Sequence, residues 1–494
     1  MNKPITRVFI VSMMMFALLV GATSWWTVVD ADSLNHDRPE QNRRALLRGL
    51  KIKRGVIRDA DGKVIARSVK RSDGVYTRRY PQGDLFGHPI GYSYASLGQT
   101  GVEAFYDEDL RGEQSDSESL LGELTGREQG GDNLQTTIDP TAQAQAEQLI
   151  AAASPEQGGS AVALDPQTGA VKVMASVPGY DPNDLRQTGA LDRFNKDDTR
   201  RPLVNRALQF GYAPGSTMKV VTLAAALDSG KFDLDTPVDG TNNVPISGVP
   251  LKNDFNESLG SVDLVTALAK SVNTAFAQVA VDLGKGTMKK YMDRFGFNKK
   301  PQLDYPKNAM SASGEYRAKK QGGPLGLFPP TSTFADIGRV GIGQDKLLVT
   351  PLQMAQVAAT IANKGVLMKP HIGARLVDRD GRTTRTIEPE VQSEVISESA
   401  AADVTEAMVA VVERGTGGAA QIPGVQVAGK TGTAETTLGP GAKNKLWFIA
   451  FAPASDPEVA IAVTVDDVVG FGGDVVAPIA KQLIQTLLNE KKTP

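Results

Sequence analysis

An uncharged, mostly apolar run extends from Val8 to Val29 and limits how the whole chain can lie relative to a membrane. In a helix that rises 1.5 Å per residue, about 22 such residues cross the roughly 30 Å hydrocarbon core of a bilayer. Lys3 and Arg7 precede the run and acidic residues follow it, which favours an N-terminus on the cytoplasmic side. We therefore expect residues 1–30 to form a short cytoplasmic tail and a transmembrane anchor, with the remainder extracytoplasmic. A cleaved signal peptide is the alternative that the sequence leaves open.

The composition excludes several classes of site. The 494 residues carry a formal net charge of -2 and no cysteine, so disulfides and thiolate metal sites are absent. The three histidines, His36, His88 and His371, are widely spaced, and we expect no metal site. No strongly basic region is present, and we expect no nucleic-acid partner.

The region after the anchor has predicted strands and a predicted helix but no evident catalytic residues. Arg54 to Ala66 contains two strand-like segments around an Asp61-Gly62 turn. Asp139 and Pro140 form a typical helix start, followed by an Ala- and Gln-rich stretch to residue 153. Because no catalytic cluster stands out here, residues 31–155 are expected to be a small domain or a spacer.

The pattern changes at Gly159 and predicts a larger domain, residues 156–494. A hairpin opens it, long helical stretches fill its middle, and strands followed by a helix close it. This order predicts a mixed α/β fold with a mainly antiparallel sheet covered by helices. The predicted strands are 160–164, 170–175, 425–428, 446–451 and 459–465, and the predicted helices are 216–228, 262–284, 350–364 and 476–488.

Ser216 and Lys219 are the first candidates for chemistry. They follow Pro214-Gly215 and precede an apolar helical stretch, so that their spacing of three places both on one helix face. Serine is a weak nucleophile, and an amine with a lowered pKa can act as its base. We therefore expect the Lys219 amine to point at the Ser216 hydroxyl, at a helix N-terminus that favours a developing oxyanion.

Two further motifs follow in the chain. Ser271-Val-Asn273 lies between two helical stretches, and Lys430-Thr-Gly432 follows the strand predicted at 425–428. Each pattern alone is weak, but the ordered set Ser-x-x-Lys, Ser-x-Asn and Lys-Thr-Gly is specific.

This set resembles the penicillin-binding protein and serine β-lactamase superfamily. Further segments resemble class B penicillin-binding proteins over nearly all of the chain beyond the anchor, in particular the penicillin-binding protein A group of actinobacteria. These segments are Arg54-Gly-Val-Ile-Arg-Asp59, Gly101-Val-Glu103, Tyr106-Asp107, Leu110-Arg-Gly112, Asn205-Arg-Ala207, Gly341-Ile-Gly-Gln344, Thr350-Pro-Leu-Gln-Met354 and Trp447-Phe448.

The resemblance implies a fold and a set of roles. The fold would be a five-stranded antiparallel sheet flanked by helices in a transpeptidase domain, with a non-catalytic, dimerisation-type pedestal at 31–155. The resemblance implies that Ser216 is the nucleophile and Lys219 its base, and that Ser271 and Lys430 relay the proton and hold the substrate carboxylate. Asn273 would orient the peptide, and the N–H groups of Ser216 and Thr433 would form the oxyanion hole. The implied substrate-binding residues are Thr431, Gly432 and Thr433. Which group moves which proton stays open.

The implied function is that of a peptidoglycan D,D-transpeptidase that forms a serine acyl-enzyme and is inhibited covalently by β-lactams. Its substrate would be the stem pentapeptide, without a metal or organic cofactor. The implied partners are a polytopic glycosyltransferase and proteins of division or elongation. The alternative is a catalytically idle penicillin-binding sensor or scaffold of the same fold.

Two other classes fit less well. Gly424 to Thr431 also satisfies the phosphate-loop pattern G-x-x-x-x-G-K-T. However, its interior is strand-like and no helix is predicted after it, whereas a phosphate loop needs a helix N-terminus. A Ser-His-Asp hydrolase is also disfavoured, because His371 is the one histidine of the large domain.

Overall fold

The structure is a computed structural model and describes residues 3–25, 50–112, 130–316, 323–324, 333–334, 336–435 and 443–490. The chain divides into two compact units. One consists of residues 1–53 and 70–77, and the other of residues 54–69 and 78–494.

The first unit contains one long helix, Lys3–Ser24. Its 22 residues span about 33 Å, and its apolar side chains are exposed along the whole length. By length and composition the stretch Pro4–Ser24 can cross a membrane. The helix begins five residues before the expected start at Val8, and the expected end at Val29 lies outside the described residues. The orientation across the membrane stays a prediction.

A six-stranded sheet joins segments that are distant in sequence. The strands, in spatial order, are Thr383–Thr386, Gly373–Val377, Asn133–Thr136, Ile57–Arg58, Val64–Lys70 and Tyr76–Arg79. The two strands expected around the Asp61-Gly62 turn are confirmed and pair antiparallel. Asn133–Thr136 pairs parallel with Ile57–Arg58 and antiparallel with Gly373–Val377. Residues of the expected pedestal and of the expected transpeptidase domain therefore share one sheet.

A five-stranded, entirely antiparallel sheet forms the centre of the large domain, as expected. Its strands, in spatial order, are Ala428–Glu435, Lys443–Ala452, Val459–Val469, Gly159–Leu164 and Val171–Val177. Successive side chains of a strand point to opposite faces. Accordingly, Trp447 and Ile449 belong to one buried hydrophobic cluster, and Phe448 and Ala450 belong to the other. The sheet is thus buried on both faces by helices.

The longer helices beyond the anchor follow the predicted order. Asp139 caps the first, as expected: its carboxylate accepts a hydrogen bond from the Ala142 N–H at 2.8 Å. The longer helices are Pro140–Ala153, Lys219–Asp228, Asn273–Arg294, Pro351–Ala362, Glu398–Arg414 and Gly472–Glu490. Shorter ones are Gly87–Ile90, Gly101–Phe105, Asp107–Arg111, Ala190–Lys196, Arg206–Gln209, Leu264–Ala269 and Ile337–Gly341.

Short two-stranded ribbons complete the fold. They pair Ser93–Tyr94 with Gly98–Gln99, Phe210–Gly211 with Gly323–Pro324, Val238–Asp239 with Ser261–Val262, Val244–Ile246 with Val249–Leu251, Gly314–Glu315 with Leu347–Leu348, and Val366–Met368 with Val391–Glu394.

One strand expectation is wrong in its bounds. We expected a strand at 425–428 with the Lys-Thr-Gly motif after it, whereas the strand is Ala428–Glu435 and contains the motif. Gly424 is instead in a left-handed turn, with φ 77°. The described chain continues from Lys430 as a strand and not as a helix, which rules out the phosphate-loop interpretation. Ala428–Glu435 is hereafter called the edge strand.

Candidate active site

Ser216 lies in a short turn that the surrounding structure fixes firmly. A 3-10 turn, Gly215–Met218, leads directly into the helix Lys219–Asp228. The Gly215 N–H donates to the Gly343 carbonyl at 3.0 Å. A Cβ on Gly343, whose φ is 76°, would lie 2.0 Å from the Gly215 carbonyl oxygen, so only glycine fits there.

The sheet supports the same turn from the other side. The Trp447 indole N–H donates to the Ala213 carbonyl at 3.0 Å, and its ring packs edge-on against Tyr212 at 5.7 Å between centroids. Both aromatic side chains are fully buried. The chain before Ser216 is therefore held to the middle of the strand Lys443–Ala452.

Lys219 is fully buried below this turn. Its amine donates to the Ser271 carbonyl at 2.6 Å, to the Ser271 hydroxyl at 3.3 Å and to the Asn273 Oδ1 at 2.7 Å. Burial, and secondarily the charge of Lys430, hold the pKa of Lys219 well below its usual range, while the Asp254 carboxylate acts in the opposite direction. A lowered pKa is what an amine needs to act as the base for a serine nucleophile.

The contact expected between Ser216 and Lys219 takes a different form. Within the described residues, no hydrogen bond joins the Ser216 hydroxyl to the Lys219 amine, which instead faces Ser271 and Asn273. Ser216 is partly exposed and opens into a cleft. Catalytic hydrogen bonds often shorten only when the reacting complex forms, so the geometry is compatible with the expected acid–base pair.

The second motif is a sharp turn between two helices, Leu264–Ala269 and Asn273–Arg294. The motif therefore lies between two helices, as expected, and it interrupts the helical stretch predicted at 262–284. Ser271 adopts a left-handed conformation, with φ 57°, which is uncommon for a non-glycine residue. This conformation directs both its carbonyl and its hydroxyl at Lys219.

Lys430 reaches the same serine from the edge strand. Its amine is buried and donates to the Ser271 hydroxyl at 2.9 Å and to the Thr431 carbonyl at 3.0 Å. Burial lowers the pKa of Lys430 to about 7, although the Asp254 carboxylate acts to raise it. Two amines of lowered pKa therefore converge on one hydroxyl, which is a continuous path for a proton.

The three residues expected to bind substrate lie in different surroundings. Thr433 lines the cleft beside Ser216. The Thr431 hydroxyl is instead hydrogen-bonded to the Thr416 hydroxyl at 2.6 Å. At Gly432 a Cβ would lie 2.8 Å from the Pro214 carbonyl oxygen, so its missing side chain lets the edge strand approach the serine turn.

The cleft has a volume of about 620 Å³ and brings in residues that sequence reasoning missed. Asp254 borders it and accepts a hydrogen bond from the Asn273 amide at 3.2 Å. Phe471 also borders it, 5.2 Å from the Phe255 ring between centroids. No sequence signal marks Asp254, because its place depends on a loop without a motif. Among the described residues, no group of His, Asp or Glu is arranged to hold a metal ion.

A serine in a rigid turn, two buried amines and the edge of an antiparallel sheet define the class of serine acyltransferases related to penicillin-binding proteins. The chain belongs to this family, as a class B penicillin-binding protein. Residues 159–485 match the penicillin binding protein transpeptidase domain, and residues 54–134 match the penicillin binding protein A dimerisation domain.

Individual relatives cover nearly the whole chain. It is 36% identical to the peptidoglycan D,D-transpeptidase PbpA of Mycolicibacterium smegmatis, over 99% of this chain and 100% of that protein. It is 33% identical to PbpA of Mycobacterium tuberculosis, over 99% of each. Penicillin-binding protein A of M. tuberculosis as a ceftriaxone acyl-enzyme complex is similar in structure, with a TM-score of 0.78, 31% identity and coverage of 90% of this chain and 100% of that one.

Proposed function

We propose that the protein cross-links peptidoglycan as a serine D,D-transpeptidase, with Ser216 as the nucleophile. The observation that carries this proposal is the convergence of the Lys219 and Lys430 amines on the Ser271 hydroxyl, below a cleft that Ser216 borders. The relatives named as peptidoglycan D,D-transpeptidases, and the related acyl-enzyme complex, support the same chemistry.

In this mechanism the Ser216 oxygen attacks the carbonyl carbon of the penultimate D-Ala of a stem pentapeptide. Lys219 accepts the hydroxyl proton, and the N–H groups of Ser216 and Thr433 stabilise the oxyanion. The intermediate collapses, the terminal D-Ala leaves with a proton delivered through Ser271 and Lys430, and an ester remains on Ser216. An acceptor amine then attacks the ester carbonyl carbon and loses a proton to Lys219. The bond to the Ser216 oxygen breaks, this oxygen regains the proton, and the new amide is the cross-link.

Five site residues also have supporting roles in the proposal. Lys430 offers positive charge to the substrate carboxylate at the edge strand, and Thr433 lies where the substrate strand would run. Asn273 orients the peptide and holds Lys219, to which its Oδ1 is hydrogen-bonded. Thr431 and Gly432 contribute to substrate binding through the conformation of the edge strand. A β-lactam would acylate Ser216 in the same way, and no metal or cofactor takes part.

The proposed setting is the outer face of the cell membrane. The positive flank of the apolar helix supports a cytoplasmic N-terminus, residues 1–30 as the anchor and an extracytoplasmic remainder. Residues 31–155 would then be a non-catalytic, dimerisation-type pedestal and residues 156–494 the transpeptidase domain. A class B protein has no glycosyltransferase of its own, so we propose a separate polytopic glycosyltransferase and division or elongation proteins as partners.

The experiment measures acylation and turnover on the full-length, detergent-solubilised chain. Intact mass after incubation with penicillin G should increase by one acyl group, located at Ser216 by peptide mapping, and Ser216→Ala should remove it. A donor pentapeptide with an acceptor amine should then release D-Ala and give a cross-linked product. Acylation without any turnover would favour the idle sensor, and a normal adduct on Ser216→Ala would refute the assignment of the nucleophile.

A further inference from the structure

A loop that borders the cleft, residues 252–256, is fixed by one buried side chain. The Asn253 amide donates to the Gly240 carbonyl at 3.0 Å and accepts from the Thr274 N–H at 2.9 Å and the Thr274 hydroxyl at 3.1 Å. Asn253 is 8% exposed. The loop is therefore attached to the first turn of the helix that begins at Asn273, the third residue of the Ser-x-Asn motif.

The conformation of this loop is one that the chain does not adopt freely. Phe255 and Asn256 are both left-handed, each with φ 56°. For residues with a Cβ this conformation is disfavoured, because the Cβ comes too close to the following carbonyl oxygen. The contacts of Asn253 hold the loop in spite of this cost, and they place the Asp254 side chain beside Asn273.

The hydrogen bonds of the Asn273 amide define its orientation. Its Oδ1 accepts from the Lys219 amine at 2.7 Å. Its Nδ2 donates to the Lys252 carbonyl at 3.1 Å and to the Asp254 carboxylate at 3.2 Å. Rotating the amide by half a turn would set Nδ2 against the Lys219 amine and Oδ1 against the carboxylate, two repulsive contacts. Asp254 thus helps to keep the oxygen of Asn273 on Lys219.

Asp254 is also the acidic member of a largely basic site. Lys219 and Lys430 lie below the cleft, while Lys252 and Arg339 border it. Asp254 is the carboxylate whose charge acts on both buried amines and opposes the lowering of their pKa values. Asp254 is itself exposed, so salt should weaken its influence.

We propose that Asp254 is a positioning residue of the transpeptidase site. Its carboxylate holds the Asn273 amide in the orientation that presents Oδ1 to Lys219, and this hydrogen-bonded chain connects its negative charge to the Lys219 amine. This inference rests on the proposed function, because it assigns Asp254 a part in delivering Lys219 as the base for Ser216.

The test compares Asp254→Asn, Asp254→Ala and the control Glu257→Gln in the full-length chain. Glu257 is an exposed acidic residue of the same segment, and it is not among the charges that act on either amine. The second-order rate of penicillin acylation is measured from about pH 5 to about pH 10, a range around the reference pKa values of the groups involved, at low and high salt. Circular dichroism checks the fold of each variant.

The two substitutions should separate charge from hydrogen bonding. Asp254→Asn keeps an acceptor for Asn273 but removes the charge, so the rise of the rate with pH should move to lower pH, and high salt should reduce this shift. Asp254→Ala should show the same shift and also lose about fivefold in its maximal rate, the factor expected from one ordinary hydrogen bond. Glu257→Gln should match the wild type in both respects.

Each result bears on a defined part of the inference. An unshifted pH profile in Asp254→Asn overturns the electrostatic part, and equal maximal rates in Asp254→Ala and the wild type overturn the positioning part. If Asp254→Ala does not fold, the pH profile of acylation in Asp254→Asn still decides the electrostatic part. If the wild type and Glu257→Gln acylate normally at Ser216 while both Asp254 variants are unchanged, the inference alone is wrong. A wild type that is not acylated at all overturns the proposed function, and the inference with it.

Discussion

Lys430 donates a hydrogen bond of 2.9 Å to the hydroxyl of Ser271, although the two residues are 159 positions apart in the chain. One belongs to the edge strand and the other to a turn between helices, so this bond joins the sheet to the helical part of the domain. The Lys219 amine approaches the same hydroxyl at 3.3 Å. The Ser271 hydroxyl is therefore the central group of the proposed proton path.

Replacing Lys219 should affect acylation far more than the fold. Lys219→Ala removes the proposed base, and general-base assistance contributes about 10²–10⁴-fold to a rate. Stopped-flow measurement of penicillin acylation should show a loss of this size. The control is Lys270→Ala, an exposed lysine next to Ser271, which should keep the wild-type rate. A Lys219→Ala protein that is folded and acylates normally would contradict the role of the amine.

The buried Lys430 should make stability increase with pH. Its folded-state pKa, about 7, lies below its unfolded value, so the unfolded chain binds more protons between the two values. Stability then rises as the pH increases from about 7 to about 10. Lys430→Met should reduce this slope by up to about 1.4 kcal/mol per pH unit, because one proton no longer takes part. Lys219, whose pKa is also lowered, contributes in the same direction and should keep part of the slope.

Unfolding by denaturant at several pH values measures this slope. The matched control is Lys270→Met, since that side chain is exposed. An unchanged slope in Lys430→Met would mean that the Lys430 amine is not held at a lowered pKa.

Glu103 should be essential for stability and not for chemistry. It is completely buried and pairs with Arg54 at 3.0 Å and with Arg78 at 2.5 Å. Burial alone would raise the pKa of Glu103, but the charges of Arg78 and Arg54 lower it. Glu103→Ala leaves the buried Arg78 guanidinium without its carboxylate, whereas Arg54 keeps its ion pair with Asp107. The substitution should cost about 3–5 kcal/mol of unfolding free energy.

Denaturant unfolding should detect this loss directly. Glu108→Ala, an exposed acidic residue of the neighbouring helix, is the control and should stay within about 0.5 kcal/mol of the wild type. Equal stability of the two variants would show that the buried ion pairs contribute little.

The orientation of the anchor gives a separate prediction. The Lys3 and Arg7 flank favours a cytoplasmic N-terminus, so everything after residue 30 should be outside. A reporter that functions only outside the cytoplasm, fused beyond residue 150, should be active, and one that functions only inside should be silent. The opposite activities would reverse the orientation.

The sequence was sufficient for those parts of the site that depend on local motifs. Ser216 and Lys219 lie where one turn passes into a helix, as their spacing predicts. A strand was predicted beside Lys430, at 425–428, but Lys430 was expected after it and not within it. Asp254 could not be found, because its contact with Asn273 depends on Asn253, whose partners Gly240 and Thr274 are distant from each other in the chain.

The same limit applies to the sheet that links the pedestal region to the large domain. Asn133–Thr136 pairs with Gly373–Val377, more than 200 residues later. The alternation of apolar and polar residues predicts that a strand exists, but it does not select a partner at such a distance. For this reason the sequence did not predict this sheet, to which both expected domains contribute strands.

Two glycines, one at the start of the former phosphate-loop candidate and one just after it, should respond oppositely to substitution. At Gly424 no atom lies within 4 Å of an added Cβ, and the cost of Gly424→Ala is limited to about 1–2 kcal/mol for its left-handed conformation. At Gly432 a Cβ would lie 2.8 Å from the Pro214 carbonyl and 2.9 Å from the Thr217 side chain. Gly432→Val should therefore push the edge strand away from the serine turn.

Penicillin acylation measures the consequence. Gly424→Ala should retain it, and Gly432→Val should lose most of it, because Lys430 and Thr433 move together with the strand while the sheet itself persists by circular dichroism. We also expect no ATP binding by the wild type, since the described chain after Lys430 is a strand and supplies no helix N-terminus for a phosphate. Loss of acylation in Gly424→Ala together with a tolerant Gly432 would mean that the edge strand does not pack against the serine turn as the contacts of Gly432 require.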